Sequence, residues 1–344
     1  VSDKIYVDLD PVFETMGLLY VSHNFDEIKQ ETKKSLSELG GFDGEQFYSK
    51  NFTIFEKYVQ SFLKYRIWDS ENALFFDGTD LNYFLILLSL IIENRSWLSS
   101  TEHLTDDRIN KQFIYICKDI FGDDIRPESV GTLEDIIKYL ESIGLEENAK
   151  WKLLRIMRQP KKYLSQLINV ININIKSFKK AKSEIKIPLQ KLLDKYNAWV
   201  NDQSDKMFYE IKGKLSEDPV IYPTLIYPIS QTFFEKCCYY GLLSEMAIKI
   251  QKAGLHSKES LLPKLKALSE NSKLEIITSL KVSPKYNLEI AQQLGLTAAT
   301  MSHHMNVLLN CGFVGVDKKD GKVYYHLKKE NIKNMIEELE QTLL

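Results

Sequence analysis

Short or polar side chains near the C-terminal end of the chain share one side of a helical repeat: Ala298, Ala299, Ser302, His303 and Asn306, with Thr300 at the edge. Met301, Met305 and Leu308, spaced i, i+4, i+7, take the opposite side, as a core face does. Thr297 stands where a helix N-cap belongs. The chemistry open to this set is hydrogen bonding to base edges, Asn through paired bonds to adenine and Ser or Thr to several bases. His304 reads as packed or as a phosphate contact. A second set, Lys318, Lys319 and Lys322 with Tyr324 beside them, brackets Asp320-Gly321; its ammonium groups would neutralise phosphates whatever the sequence. The candidate DNA contacts are therefore Thr297, Ala298, Thr300, Ser302, His303, Asn306, Lys318, Lys319, Lys322 and Tyr324.

Elements at defined places must hold these groups. Leu265 and Leu268, then Leu274, Ile276, Ile277 and Leu280, predict two short helices broken around 269–272 and ended by Ser283-Pro284. Asn287 is placed to cap a helix carrying Leu288, Ile290, Ala291 and Leu294, which Gly295 stops. The helix of Met301 and Met305 follows after a short turn, the helix-turn-helix arrangement in which the second helix enters the major groove. Beyond Gly312, Asp320-Gly321 at the centre of a tight turn pairs Lys319 with Lys322, Lys318 with Val323, Asp317 with Tyr324, Val316 with Tyr325 and Val314 with Leu327. That register puts Val314, Val316, Val323, Tyr325 and Leu327 on one face, and Asp317, Lys319, Lys322, Tyr324 and His326 on the other. A helix-turn-helix followed by such a ribbon is a winged helix.

The stretches KLKALSENSKLEIITSL, NLEIAQQLGLTAATMSHHMNVLLNCGFV and DKKDGKVYYHL resemble the ArsR family of bacterial winged-helix repressors. The Ser-His-His segment of the second helix and the Gly-Lys-Val-Tyr-Tyr strand are the most telling parts. The resemblance covers residues about 260 to 343 and implies a cytoplasmic repressor of double-stranded DNA at a palindromic operator. It also implies a homodimer formed through the first and last helices of the module, and Ile332, Met335, Ile336, Leu339 and Leu343 make the last helix's apolar stripe. Metal-sensing members carry Cys-x-Cys before the recognition helix, or Asp, His and Glu ligands on the last helix. Here the first place reads Lys285, Tyr286, Asn287, Leu288, and the last helix has neither Cys nor His. No metal and no cofactor are expected, and Cys237, Cys238 and Cys311 read as buried thiols. Every arginine (Arg66, Arg95, Arg108, Arg126, Arg155 and Arg158) lies outside the module, so the bidentate arginine–guanine contact is missing and specificity rests on Thr, Ser, His, Asn and DNA shape.

The chain as a whole, 344 residues with 44% hydrophobic and 27% charged side chains, has the composition of a folded globular protein of about two domains. Its net charge of -2 conceals 12 Lys against 10 Asp and Glu in residues 258–344. Four cysteines and no apparent secretory leader favour a reducing compartment, and the apolar run Leu81–Ile92 is short of the ~20 residues a membrane span needs, so it reads as a buried helix. The expected fold is mainly α: a helical domain at 1–256 for sensing or assembly, and the winged helix at 257–344. Proline at 223 and 228 limits residues 219–228 to short edge strands or extended segments, a helical stretch is expected from there to Lys252, and Pro188 marks an interruption or kink in one or two long helices over 161–200. Gly40-Gly41-Phe42-Asp43-Gly44 lacks the G-x-G-x-x-G spacing, and His23, His103 and Asp106-Asp107 form no acid–base set, so no enzyme is expected. The N-terminal part would take a small-molecule or protein effector; the alternatives are a protein-interaction module or a retained enzymatic activity.

Overall fold

A computed structural model describes residues 4–39, 43–121, 131–215, 219–254, 261–296, 298–319 and 322–344. The chain is mainly α, with a C-terminal helix-turn-helix and a short β wing. The first run of helices is α1 (Pro11–His23), α2 (Phe25–Leu39), α3 (Gly44–Asn51), α4 (Thr53–Tyr65), α5 (Ala73–Phe76) and α6 (Leu81–Glu93). It continues through α7 (Asp106–Phe121), α8 (Leu133–Ser142), α9 (Glu147–Arg158), α10 (Pro160–Glu184), α11 (Lys186–Asn201) and α12 (Lys206–Leu215).

Helices α1 and α6 are apolar nearly all round, and such helices can only be interior. Both are buried along most of their length, and each starts on an aspartate: Asp10 accepts from Val12 N and Asp80 from Tyr83 N. Helix α10 packs on α1 and α4; on it the buried Asn174 accepts from Ile67 N and donates to Ile67 O, fixing the chain where it leaves α4. The break between α10 and α11 falls at Ile185, and Pro188 occupies the first turn of α11, where its missing N–H costs nothing.

A three-stranded sheet follows: β1 (Val220–Thr224), β2 (Gln231–Phe233) and β3 (Cys237–Gly241), in the order β1-β3-β2. Strand β1 lies at one end of that order, runs parallel to β3, and is bridged by the N-terminal segment through Ile5 and Ile221. The helical stretch expected up to Lys252 is corrected here: residues 231–241 form β2 and β3, and helix α13 (Ser244–Gly254) begins only afterwards. Strand β3 is buried on both faces, so its continuous apolar run has no alternation to read. Helix α1 approaches the segment after β1 so closely that a Cβ on Gly17 would lie 2.6 Å from the Ile226 side chain.

Glu14 of α1, fully buried, binds this arrangement together. Its carboxylate accepts from the Thr224 hydroxyl at 2.6 Å, Leu225 N at 3.0 Å and the Tyr58 hydroxyl at 3.0 Å. Asp10 adds a second buried junction, accepting from the Tyr239 hydroxyl at 2.5 Å and pairing with Arg95.

The remaining elements are α14 (Leu261–Ser269), α15 (Asn271–Val282), β4 (Lys285–Tyr286), α16 (Asn287–Leu294), α17 (Ala298–Asn310), β5 (Val314–Lys319), β6 (Lys322–Leu327) and α18 (Lys329–Leu343). Buried apolar residues form two clusters, one from Leu9 to Ala247 and the other from Leu261 to Met335.

Candidate nucleic-acid interface

The second cluster fixes the helix-turn-helix from within. Met301, Met305 and Leu308 of α17 are at most 1% exposed and meet Ile276, Leu280, Ile290 and Phe313 in that core. Gly295 ends α16 at φ 64, the left-handed region that glycine enters without a Cβ penalty, and Leu296 N donates to Ala291 O at 2.9 Å. Asn287, expected as the cap of α16, is instead its first residue; Tyr286 precedes it, and the Glu289 carboxylate accepts from Tyr286 N at 3.0 Å. The Lys285 ammonium donates to Ser279 Oγ and Gln293 Oε1, each at 2.8 Å, joining α15, β4 and α16.

Gly312, at φ 73, turns the chain from α17 into the wing, and the Asn331 amide of α18 donates to its carbonyl at 2.7 Å. The wing has the register read from the sequence, from Val314 opposite Leu327 to Lys319 opposite Lys322. It is wider than the expected two strands, because β4 pairs antiparallel with β6 and makes the order β4-β6-β5. Val314 and Val316 are buried, Asp317 is exposed, and Tyr324 is half-buried with its ring edge-on to Tyr286 at 5.9 Å.

Of the candidate contacts, Thr300 and Asn306 are exposed on α17. Ala298, Ser302 and His303 stand on the same helix, and Lys319 and Lys322 face each other across the wing, with their backbone positions described. Thr297 and the turn residues Asp320 and Gly321 lie outside the described residues. The dimerisation set divides. Met335 is 3% exposed within the second cluster, with Ile332 and Leu339 packed against it, whereas Ile336 and Leu343 point outward at 57% and 71% exposure. Leu262 and Leu265 of α14 are exposed too, and α14 and α18 adjoin, tied by Lys264 to Glu338 at 3.0 Å.

Contacts with the N-terminal helices are a feature the sequence reading missed. Strand β5 lies along α12. There Lys214 pairs with Asp317 at 2.9 Å, Lys328 with Glu210 at 3.5 Å, and the Lys318 ammonium donates to Leu215 O at 3.0 Å. Lys214 holds the Asp317 carboxyl below its ordinary range, with His326 Nδ1 on the other oxygen at 2.9 Å. Helix α17 lies against α2 and α6. No local pattern marks charges paired across about a hundred residues.

The thiols do not converge. Cys237 and Cys238 are buried in the first cluster, while Cys311 packs against the second. Burial pushes the Cys237 thiol up to about 12 and the Cys311 thiol up to about 11, which disfavours the thiolate that metals and oxidants need. Among the described residues no three His, Cys, Asp or Glu side chains are grouped to hold a metal ion, and no single helix is long and apolar enough to cross a membrane.

Residues 270–316, from the start of α15 through the first residues of the wing, match the family model for bacterial regulatory proteins of the arsR family. The chain is also similar to the HTH-type transcriptional regulator NmtR of Mycobacterium tuberculosis (strain ATCC 25618 / H37Rv). The two are 30% identical over 74 residues, 22% of this chain and 62% of that protein, so the match spans less than two thirds of the relative.

Proposed function

Because the chain carries an ArsR-family helix-turn-helix at residues 270–316, we propose that it is a DNA-binding transcriptional regulator. In this reading it is a cytoplasmic homodimeric repressor of a palindromic operator. Residues 257–344 form its DNA-binding domain, and residues 1–256 receive a signal other than a divalent metal. The observation that carries the reading is the geometry of α16, the Gly295 turn and α17: a short-turned helix pair with an apolar inner face and with Thr300 and Asn306 exposed on α17. In such a pair the second helix fits a major groove about 12 Å wide, and dimers read half-sites about one helical turn apart.

The separation of the thiols between two clusters, and the raised pKa values of Cys237 and Cys311, support a signal that is not a metal. An open groove of about 540 Å³, lined by Glu71, Asp77, Trp151, Lys152, Arg155 and Tyr163, supports reception of a small molecule by residues 1–256. Trp151 in its wall is 67% exposed.

The test separates the two kinds of DNA contact. In binding titrations on duplexes selected from random sequence, Lys319→Ala with Lys322→Ala weakens binding to all sequences alike and flattens the salt dependence. Ser302→Ala and His303→Ala each cost about 1–3 kcal/mol, mainly on the preferred duplex. Loss of sequence preference from the wing variant alone would reverse the assigned roles, and absence of duplex binding would refute the reading.

A further inference from the structure

Helix α17 and the wing both touch the N-terminal helices, and the wing does so through its cations. Helices α2 and α6 both come against α17, while Thr300 and Asn306 stay exposed on it. At the wing, Lys318 donates to the carbonyl of Leu215, the last residue of α12, where the helix dipole is negative. Lys328 sits by Glu210, and Asp119 of α7 feels the Lys318 charge. Cations of the wing region thus meet a carbonyl and carboxylates on the N-terminal helices, acceptors of the kind a phosphate backbone offers, while Lys214 fixes the register through Asp317.

We infer that the N-terminal helices hold the helix-turn-helix in a DNA-excluding pose, an autoinhibitory contact latched where the wing meets α12. This rests on the DNA-binding reading above. Only the released fraction of the chain can take a duplex, so the apparent affinity falls by that fraction. A signal that favours the released state raises DNA binding, and by reciprocity DNA favours release.

The experiment uses the full chain, a fluorescently labelled A·T-rich duplex of about 30 base pairs as probe, and hydrogen exchange over 206–215 as the readout of docking. Lys214→Glu sets like charges opposite Asp317. It should speed exchange in α12 and tighten duplex binding about three- to ten-fold, the scale of losing one or more exposed ion pairs. Asp317→Lys should do the same. The double variant Lys214→Glu/Asp317→Lys restores an opposite-charge pair, so it should regain slow exchange and bind more weakly than Asp317→Lys alone, although both carry the same added wing lysine. That comparison also removes fraying of α12 as the cause.

Unchanged exchange in Lys214→Glu would overturn the latch. Faster exchange without tighter binding, or a double variant binding as tightly as Asp317→Lys, would overturn the inhibition while leaving the DNA-binding reading intact. If neither the parent nor the released variants bind duplex, that reading fails, and the inhibition with it.

Discussion

Glu14 is the residue on which solution conditions act most directly. Burial pushes its carboxyl up to about 7, against the opposing pull of the Thr224 hydroxyl, the Leu225 amide and the Tyr58 hydroxyl. An unfolded chain releases that proton near 4.5. Between these values the folded chain holds a proton that the unfolded chain has lost, so stability falls as pH rises through the window, and the penalty is complete above about pH 7. Its scale is about 3 kcal/mol. Glu14→Gln keeps an acceptor oxygen without the charge and should flatten this window, with the variant gaining most on the parent at pH 8. Urea midpoints at pH 5, 6, 7 and 8 for both chains measure it; an equal slope in the two would show that Glu14 does not carry the dependence.

At the scale of elements, what was legible in the sequence is what local chemistry decides. The wing register followed from Asp320-Gly321 and the alternation of Val314, Val316, Val323 and Tyr325, because a one-residue slip would have exposed the whole apolar face. Glycine at 295 and 312 gave the two turns, since both positions lie at positive φ. The central strand β3 was not legible: Cys-Cys-Tyr-Tyr-Gly, buried at every position, shows no period that distinguishes a strand from an interior helix. Nor was the third wing strand, only two residues long, or the seat of β5 on α12, which depends on pairs such as Lys214 with Asp317.

The stripe on α18 was legible as apolar, yet sequence could not divide its inner residues from its outer ones. That division decides where a test of the homodimer must act. Met335 belongs to the module's own core, so a charge there would unfold it, whereas Ile336 and Leu343 are exposed. Ile336→Glu with Leu343→Glu should leave the helical circular dichroism unchanged and the unfolding free energy of the monomer within about 0.5 kcal/mol of the parent, as surface changes do. It should shift sedimentation toward monomer and weaken operator binding in parallel. A monomeric variant that kept tight operator binding would separate dimerisation from DNA recognition and sink the homodimer reading.

For the whole molecule, the decisive fact is that the described buried residues form two separate clusters rather than one shared apolar core, with polar pairs and the contacts of α17 with α2 and α6 between them. Exposed ion pairs contribute about 0–1 kcal/mol each, too little to make two cores melt as one. Unfolding should therefore proceed in two steps, outside the two-state approximation that holds for small single domains. The placement of the tryptophans makes this measurable without labels: Trp68, Trp97, Trp151 and Trp199 all precede the second cluster. Indole fluorescence follows the first cluster alone, while helical circular dichroism follows both. Met305→Ala removes a side chain that is 1% exposed in the second cluster and should cost about 2–5 kcal/mol there. In urea, the circular-dichroism step assigned to α14–α18 should move to lower denaturant, while the fluorescence midpoint stays in place apart from the small loss expected when docking is weakened. If the fluorescence midpoint instead moved with the dichroism by the full amount, the two clusters would be one cooperative unit. Release of the helix-turn-helix would then require unfolding rather than undocking.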